Sequence, residues 1–315
     1  MGKNKYPIDE ELKKLERIKL FPNIYVYPFV NLFMGLNTCR SDEKVAVRKC
    51  LIPGYKGHMI SALVIEPRTC QSKMPCIIFF HGGGLMLKAA KAHYQFAKWY
   101  AEKAKCKVVF PDYRLIPKFR VPYAVEDCCS AYSWVINNAD GLGVDKDKVI
   151  LAGDSAGANL AAAVTLMARD RSVTSPLCVL IAYPVLDRRM NTDSMRKFTD
   201  TPVFDAKLAR IFWDAYLTDM KPEHIEYASP MEAKTLEGFP KTYIEVAEFD
   251  CLHDDGVAFA KRLVTEGIKV ELHEVDKACH GFEVALESEL VKESLLRRIN
   301  WINKLIGNYN AEFLV

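Results

Sequence analysis

This sequence predicts an α/β fold: a mostly parallel, eight-stranded sheet flanked by helices, with a helical cap. Three observations carry that expectation. Short β-rich runs alternate with amphipathic or Ala-rich segments from residue 45 onward. Strand runs such as "CIIFF" are nearly continuous in apolar residues, which suits a sheet covered on both faces. Two regions, 1–44 and 185–238, break the alternation and continue no sheet.

The candidate strands are "VAVRKCLI", "ISALVIE", "CIIFF", "KVVF", "KVILA", "CVLIAY", "KTYIEVAE" and "KVELHEV". Between the later ones lie "HYQFAKWYAEKA", "AVEDCCSAYSWVINN", "ANLAAAVTLMARD" and "DDGVAFAKRLVTEG", with apolar residues at three and four spacing. Strand and helix taking turns implies right-handed crossovers and parallel pairing. The first irregular region reads as a helix followed by an aromatic stretch, and the second contains helical "DAKLARIFWDAYL". The two are expected to meet as a cap over one edge of the sheet. The chain then divides into a cap segment (1–44), a first core part (45–184), a cap insertion (185–238) and a second core part (239–315).

The uncharged segment from Phe21 to Leu36 has 16 residues and is interrupted by Pro22, Asn23, Pro28 and Asn31. It is too short and too broken for a stable membrane span, the bilayer core being about 30 Å thick. A cap element lining an apolar pocket is the expectation, with contact to a membrane surface or lipid as the second reading.

With 315 residues, half of them apolar, the chain can bury a substantial core. Its 43 basic and 40 acidic side chains are scattered, which argues against nucleic acid as a partner. The amino terminus "MGKNKYPIDEELKKLERIKL" lacks the apolar core of a secretory signal, so cytoplasmic residence is expected. Ten cysteines, Cys70 among them, are spread along the chain with no C-x-x-C pair. They read as reduced, packed thiols, not as a zinc or redox site.

The stretch "KVILAGDSAGANLAAA" reads as strand, tight turn and helix, with Ser155 at the turn inside G-x-S-x-G. Gly153 and Gly157 let strand and helix approach closely while the serine oxygen is lifted clear, and Asp154 completes the turn. The helix after Ser155 points unsatisfied N–H groups and its positive dipole end at charge forming on a substrate. "IIFFHGGG", residues 77–84, follows the third candidate strand. Its glycines expose backbone N–H groups, and the amides of Gly83, Gly84 and Ala156 are the candidate oxyanion hole. His81 and Gly82 are assigned to shaping that loop.

A nucleophilic serine needs a base, and the base needs an orienting carboxylate. Behind such an elbow they follow in the order Ser, acid, His. Asp250 comes after the seventh strand run and His280 after the eighth, on the side of the sheet that carries the elbow. Asp254 and Asp255 compete for the acid role, but their position before "GVAFAKRL" suits a helix N-terminus. His58, His93, His224, His253 and His273 read as surface or packing histidines.

These residues resemble the hormone-sensitive lipase-like branch of the α/β-hydrolases, which includes bacterial carboxylesterases of the acetyl esterase type, arylacetamide deacetylases and the plant gibberellin receptors. "HGGG" and "GDSAG" match that branch's two signatures, "DYRLIPKFRVPYAVED" looks like a third, and the likeness runs from about residue 60 to 300. Lys118 stands where the family usually has Glu, and similarity is thin across 1–44. The resemblance implies an α/β-hydrolase fold and a serine esterase capped by the amino terminus and an insertion after strand six. Hydrolysis of short-acyl carboxylic esters through an acyl-enzyme is the expected function, with a small-molecule ester as partner and no metal or organic cofactor. An amidase or formamidase using the same triad is the alternative reading. A ligand-binding receptor is a further one, but in the receptors the catalytic histidine is replaced, whereas His280 is present here. A homodimer would pair through an edge strand or the cap, and no residue argues for one.

Overall fold

The computed structural model describes residues 5–69, 73–218 and 222–308; Cys70 lies outside them. Each candidate strand run forms a strand: β1 (Val45–Pro53), β2 (Met59–Pro67), β3 (Met74–Phe80), β4 (Lys107–Pro111), β5 (Val144–Asp154), β6 (Cys178–Ala182), β7 (Lys241–Phe249) and β8 (Val270–Cys279). They make one sheet in the order β1-β2-β4-β3-β5-β6-β7-β8. β1 with β2 and β2 with β4 are antiparallel, and the pairings from β4 across to β8 are parallel.

The helices are α1 (Tyr27–Met34), α2 (Lys91–Lys103), α3 (Tyr123–Asn137), α4 (Ala139–Leu142), α5 (Ala156–Asp170), α6 (Asp193–Lys197), α7 (Ala206–Leu217), α8 (His253–Thr265) and α9 (Glu289–Ile306). Residues 156–168 of α5 are all buried. Its alanines bring it close to the central strands, whose residues Ile77, Ile150, Leu151 and Ile181 are also fully buried. The sequence reading does not include α9. Its apolar stripe, Val291, Leu295, Ile299 and Ile302, is interrupted by Arg298, which is itself buried and ion-paired with Glu245 of β7 and with Glu283.

Register positions the chemistry. Phe80 pairs with Gly153, Asp154 with Ala182, and Phe249 with Cys279. The segments that leave β3, β5, β7 and β8 therefore emerge side by side along one end of the sheet, where ligands of open parallel sheets bind. The two irregular regions meet there. Glu10–Arg17 is a 3-10 helix that buries Leu12 and Leu15. Lys19 bridges Val203, and Lys5 and Tyr6 both donate to Asp200.

The "DYRL" segment after β4 is fixed by a buried carboxylate. Asp127 of α3 accepts from Arg114 Nε at 2.8 Å and from the Tyr55 amide at 2.8 Å, while Arg114 Nη2 reaches the Tyr55 carbonyl at 2.9 Å. The departing Lys118 lays its ammonium over the Phe119 ring, 5.0 Å from its centroid. Asp127→Ala strands a largely buried guanidinium and an amide, so it is expected to destabilise the fold by about 3 kcal/mol. A denaturation midpoint equal to that of the parent would contradict the assignment.

Candidate active site

Ser155 occupies the step between β5 and α5 with φ +53° and ψ −117°, in a region that side chains rarely adopt. The turn holds because strand and helix nearly touch: a Cβ on Gly157 would stand 2.0 Å from the Phe80 carbonyl oxygen, and one on Gly153 would stand 2.4 Å from Gly157. The Ser155 amide donates to the Ala182 carbonyl at 2.9 Å, tying the turn to β6.

Ser155 Oγ lies 2.8 Å from His280 Nε2, and His280 Nδ1 lies 2.7 Å from Asp250 Oδ2. Asp250 is fully buried, and its other oxygen accepts from the Leu252 amide at 2.9 Å. A carboxylate beside Nδ1 holds the proton on that nitrogen and leaves Nε2 to accept from the serine hydroxyl. Tyr183 meets the imidazole edge-on at 5.0 Å and Phe204 flanks it at 4.8 Å, which limits its rotation.

The competing groups are engaged elsewhere. Asp254 and Asp255 lie in the first turn of α8, where Asp254 accepts from the Ser194 amide at 2.8 Å. His253 contacts Asp254, and His273 contacts Glu271. His58 precedes β2, and His224 stacks on Tyr227.

The glycine loop is anchored at both ends. His81 is buried, and burial pushes its pKa down to about 3, so it is neutral. Its Nδ1 donates to the Gly82 carbonyl at 2.7 Å, and its own carbonyl accepts from the Tyr113 hydroxyl at 2.6 Å. Gly83 and Gly84 have φ of +106° and +62°, a conformation open to glycine at little cost. Both line one cavity of about 240 Å³ together with Ser155 and His280. Ala156 is the first residue of α5, the end whose N–H groups are not used within the helix.

Asp154 does more than complete the elbow. The Gly82 amide donates to both of its oxygens at 3.1 Å, and His93 Nε2 lies 3.2 Å from Oδ2. Burial opposes ionisation of this carboxylate, but His93 and the Gly82 amide outweigh it and hold it below the usual range. Burial lowers the His93 pKa, while the Asp154 charge raises it, for a net upward shift. Against that shift, the Ala90 amide donates to His93 Nδ1 at 2.9 Å. A donor at Nδ1 fits the neutral ring, with its proton on Nε2 and directed at Asp154. His93 is thus a pocket residue and not a surface or packing histidine, a correction to the sequence reading. The motif that reveals its role is Asp154, 61 residues away in sequence.

Two more positioning residues, Asn31 and Asn159, belong to no motif in the sequence. Asn31 of α1 donates to the Met86 carbonyl at 2.7 Å and accepts from the Lys88 amide at 2.8 Å, pinning the amino-terminal segment to the glycine loop. Asn159 of α5 donates to the carbonyls of Val185 and Ala228 and so ties the second irregular region to the core. Tyr27 and Met34 line the cavity, while Phe29, Leu32, Phe33 and Leu36 face outward. Among the described residues, no group of three or more His, Cys, Asp or Glu is placed to hold a metal ion, and no helix is long and apolar enough to cross a membrane.

A family model described as alpha/beta hydrolase fold matches residues 77–284. Esterase LipI of Mycobacterium tuberculosis (strain ATCC 25618 / H37Rv) is 33% identical over 227 residues, covering 71% of this chain and 71% of that protein. Carboxylesterase NlhH of the same strain is 31% identical over 233 residues, covering 73% of each. Among solved structures, a bacterial heroin esterase superposes with a TM-score of 0.86 at 28% identity, covering 95% of this chain and 98% of that one. Esterase LipW from Mycobacterium marinum gives a TM-score of 0.88 at 28% identity, covering 95% and 96%.

If Asp154 holds the glycine loop, Asp154→Ala releases it. Amide exchange at residues 82–84 is expected to accelerate about 10- to 100-fold, the loss of one charge-assisted hydrogen bond. Hydrogen-exchange mass spectrometry reads this directly, and unchanged protection of that peptide would refute the anchoring.

Proposed function

The chain belongs to the alpha/beta hydrolase fold family and is a carboxylic ester hydrolase of the serine type, and we propose that Ser155, His280 and Asp250 carry its reaction. The observation that supports this assignment is the unbroken contact chain from Ser155 Oγ through His280 to Asp250, at 2.8 and 2.7 Å. Ser155 attacks the ester carbonyl while His280 Nε2 takes its proton. The amides of Gly83 and Gly84, with that of Ala156, stabilise the oxyanion. His280 then returns the proton to the departing alcohol, leaving an acyl-enzyme. Water, activated by the same imidazole, completes the cycle. Asp250 keeps the tautomer correct and stabilises the transient imidazolium.

Short acyl groups are the substrates this reading favours. A cavity of about 240 Å³ is smaller than the roughly 300–1,000 Å³ of pockets for drug-sized ligands. Both irregular regions act as its cap, on the support that Tyr27 and Met34 come from one and Val203 and Phe204 from the other. Esters are preferred over amides because the relatives above are named for ester hydrolysis. The nine described cysteines are free thiols, which supports a reducing, cytoplasmic setting.

Turnover of p-nitrophenyl butyrate tests the assignment. Ser155→Ala is expected to lower kcat by at least about 10³-fold; unchanged activity in the folded variant removes the claim.

A further inference from the structure

Beside the catalytic cavity lies a second, larger hollow of about 470 Å³. Ile18, Leu20 and Val203 line both. The partition between the two spaces is therefore no thicker than these side chains. Its outer side is apolar where Ile8, Leu208 and Ile211 line it and charged where Lys5 pairs with Asp200.

Val203 is the unusual member of that wall. It is β-branched and has φ +66°, where such a side chain crowds its own backbone. The conformation is held from outside: Lys19 bridges Val203, and the Thr201 hydroxyl donates to the Phe204 carbonyl at 2.8 Å. A Cβ on Gly281 would meet Val203 Cγ1 at 3.3 Å, so the side chain abuts the loop that carries His280. Backbone strain in a cavity wall beside the base indicates that this side chain's position matters to function.

We propose that Val203 is the specificity-determining residue that closes the outer hollow off from the catalytic cavity, and that the hollow becomes a subsite for the distal hydrocarbon chain of longer esters when this wall is opened. The proposal rests on the reading of Ser155 as an esterase nucleophile. Glycine adopts φ +66° without strain, so Val203→Gly opens the wall with the backbone in place. Each methylene that gains burial in the hollow is expected to raise kcat/KM about threefold to fourfold.

The test compares parent and Val203→Gly on two series: p-nitrophenyl esters from acetate to dodecanoate, and alkyl acetates from ethyl to decyl. The ratio of long-chain to short-chain kcat/KM is expected to rise at least about tenfold in one series. The series that responds shows whether the acyl or the alcohol chain enters the hollow. Adding Leu208→Trp, which fills the hollow from its far side, is expected to return the ratio toward the parent value. An unchanged ratio in both series, or a gain that Leu208→Trp leaves intact, overturns the proposal. Ile18→Ala opens the same wall from the amino-terminal side and carries the test if Val203→Gly fails to fold. Turnover that survives Ser155→Ala is a separate result, and it would remove the esterase mechanism and not the wall.

Discussion

Parallel register is the constraint on which the rest of this structure depends. Phe80 beside Gly153 and Phe249 beside Cys279 bring four strands to their ends at one level. Just past the last residues of these strands, Phe80, Asp154, Phe249 and Cys279, stand His81, Ser155, Asp250 and His280. A one-residue slip of β8 against β7 turns side chains to the opposite face and parts the imidazole from its carboxylate. The ladder is fixed by a core buried on both faces, so the energy that holds the site comes from the sheet and not from the three side chains themselves. Those side chains are costly to bury alone and acceptable together, because Asp250, His280 and Ser155 satisfy one another in sequence.

Strained backbone surrounds the place where that ladder ends. Ser155, Leu85, Tyr183 and Val203 have positive φ without being glycine, and all four belong to segments that surround the cavity or its glycine loop. Each is held by a contact with another segment: Ser155 by Ala182, Leu85 by the Ile116 amide, Tyr183 by the Glu245 carbonyl and Val203 by Lys19. A rigid core thus maintains backbone conformations that an isolated loop would relax, and the resulting geometry is in place before any substrate arrives.

The parts legible in the sequence are those whose signal is local. The alternation of apolar strands with amphipathic helices announces the sheet. G-x-S-x-G at a strand-to-helix junction marks Ser155, and the strand ends before Asp250 and His280 mark their loops. What was not legible depends on contacts between distant segments. His93 reads as an ordinary helical histidine until α2 is seen to place it against Asp154. Asn31 looks like an interruption of an apolar run, yet it fastens that run to the glycine loop. Helix α9 carries a buried arginine in its apolar face, and only Glu245 and Glu283 make that tolerable. Val203 gives no sequence signal, because its conformation is imposed by the amino-terminal segment that bridges it.

The central claim is that one hydroxyl, at Ser155, is made nucleophilic by His280. Covalent trapping with a p-nitrophenyl alkylphosphonate, read by intact-protein and peptide mass spectrometry, tests it most directly. The account predicts a single adduct on the peptide containing Ser155, formed at least about 10³-fold more slowly in His280→Ala. An adduct on another residue, or equal labelling rates with and without the imidazole, would contradict it.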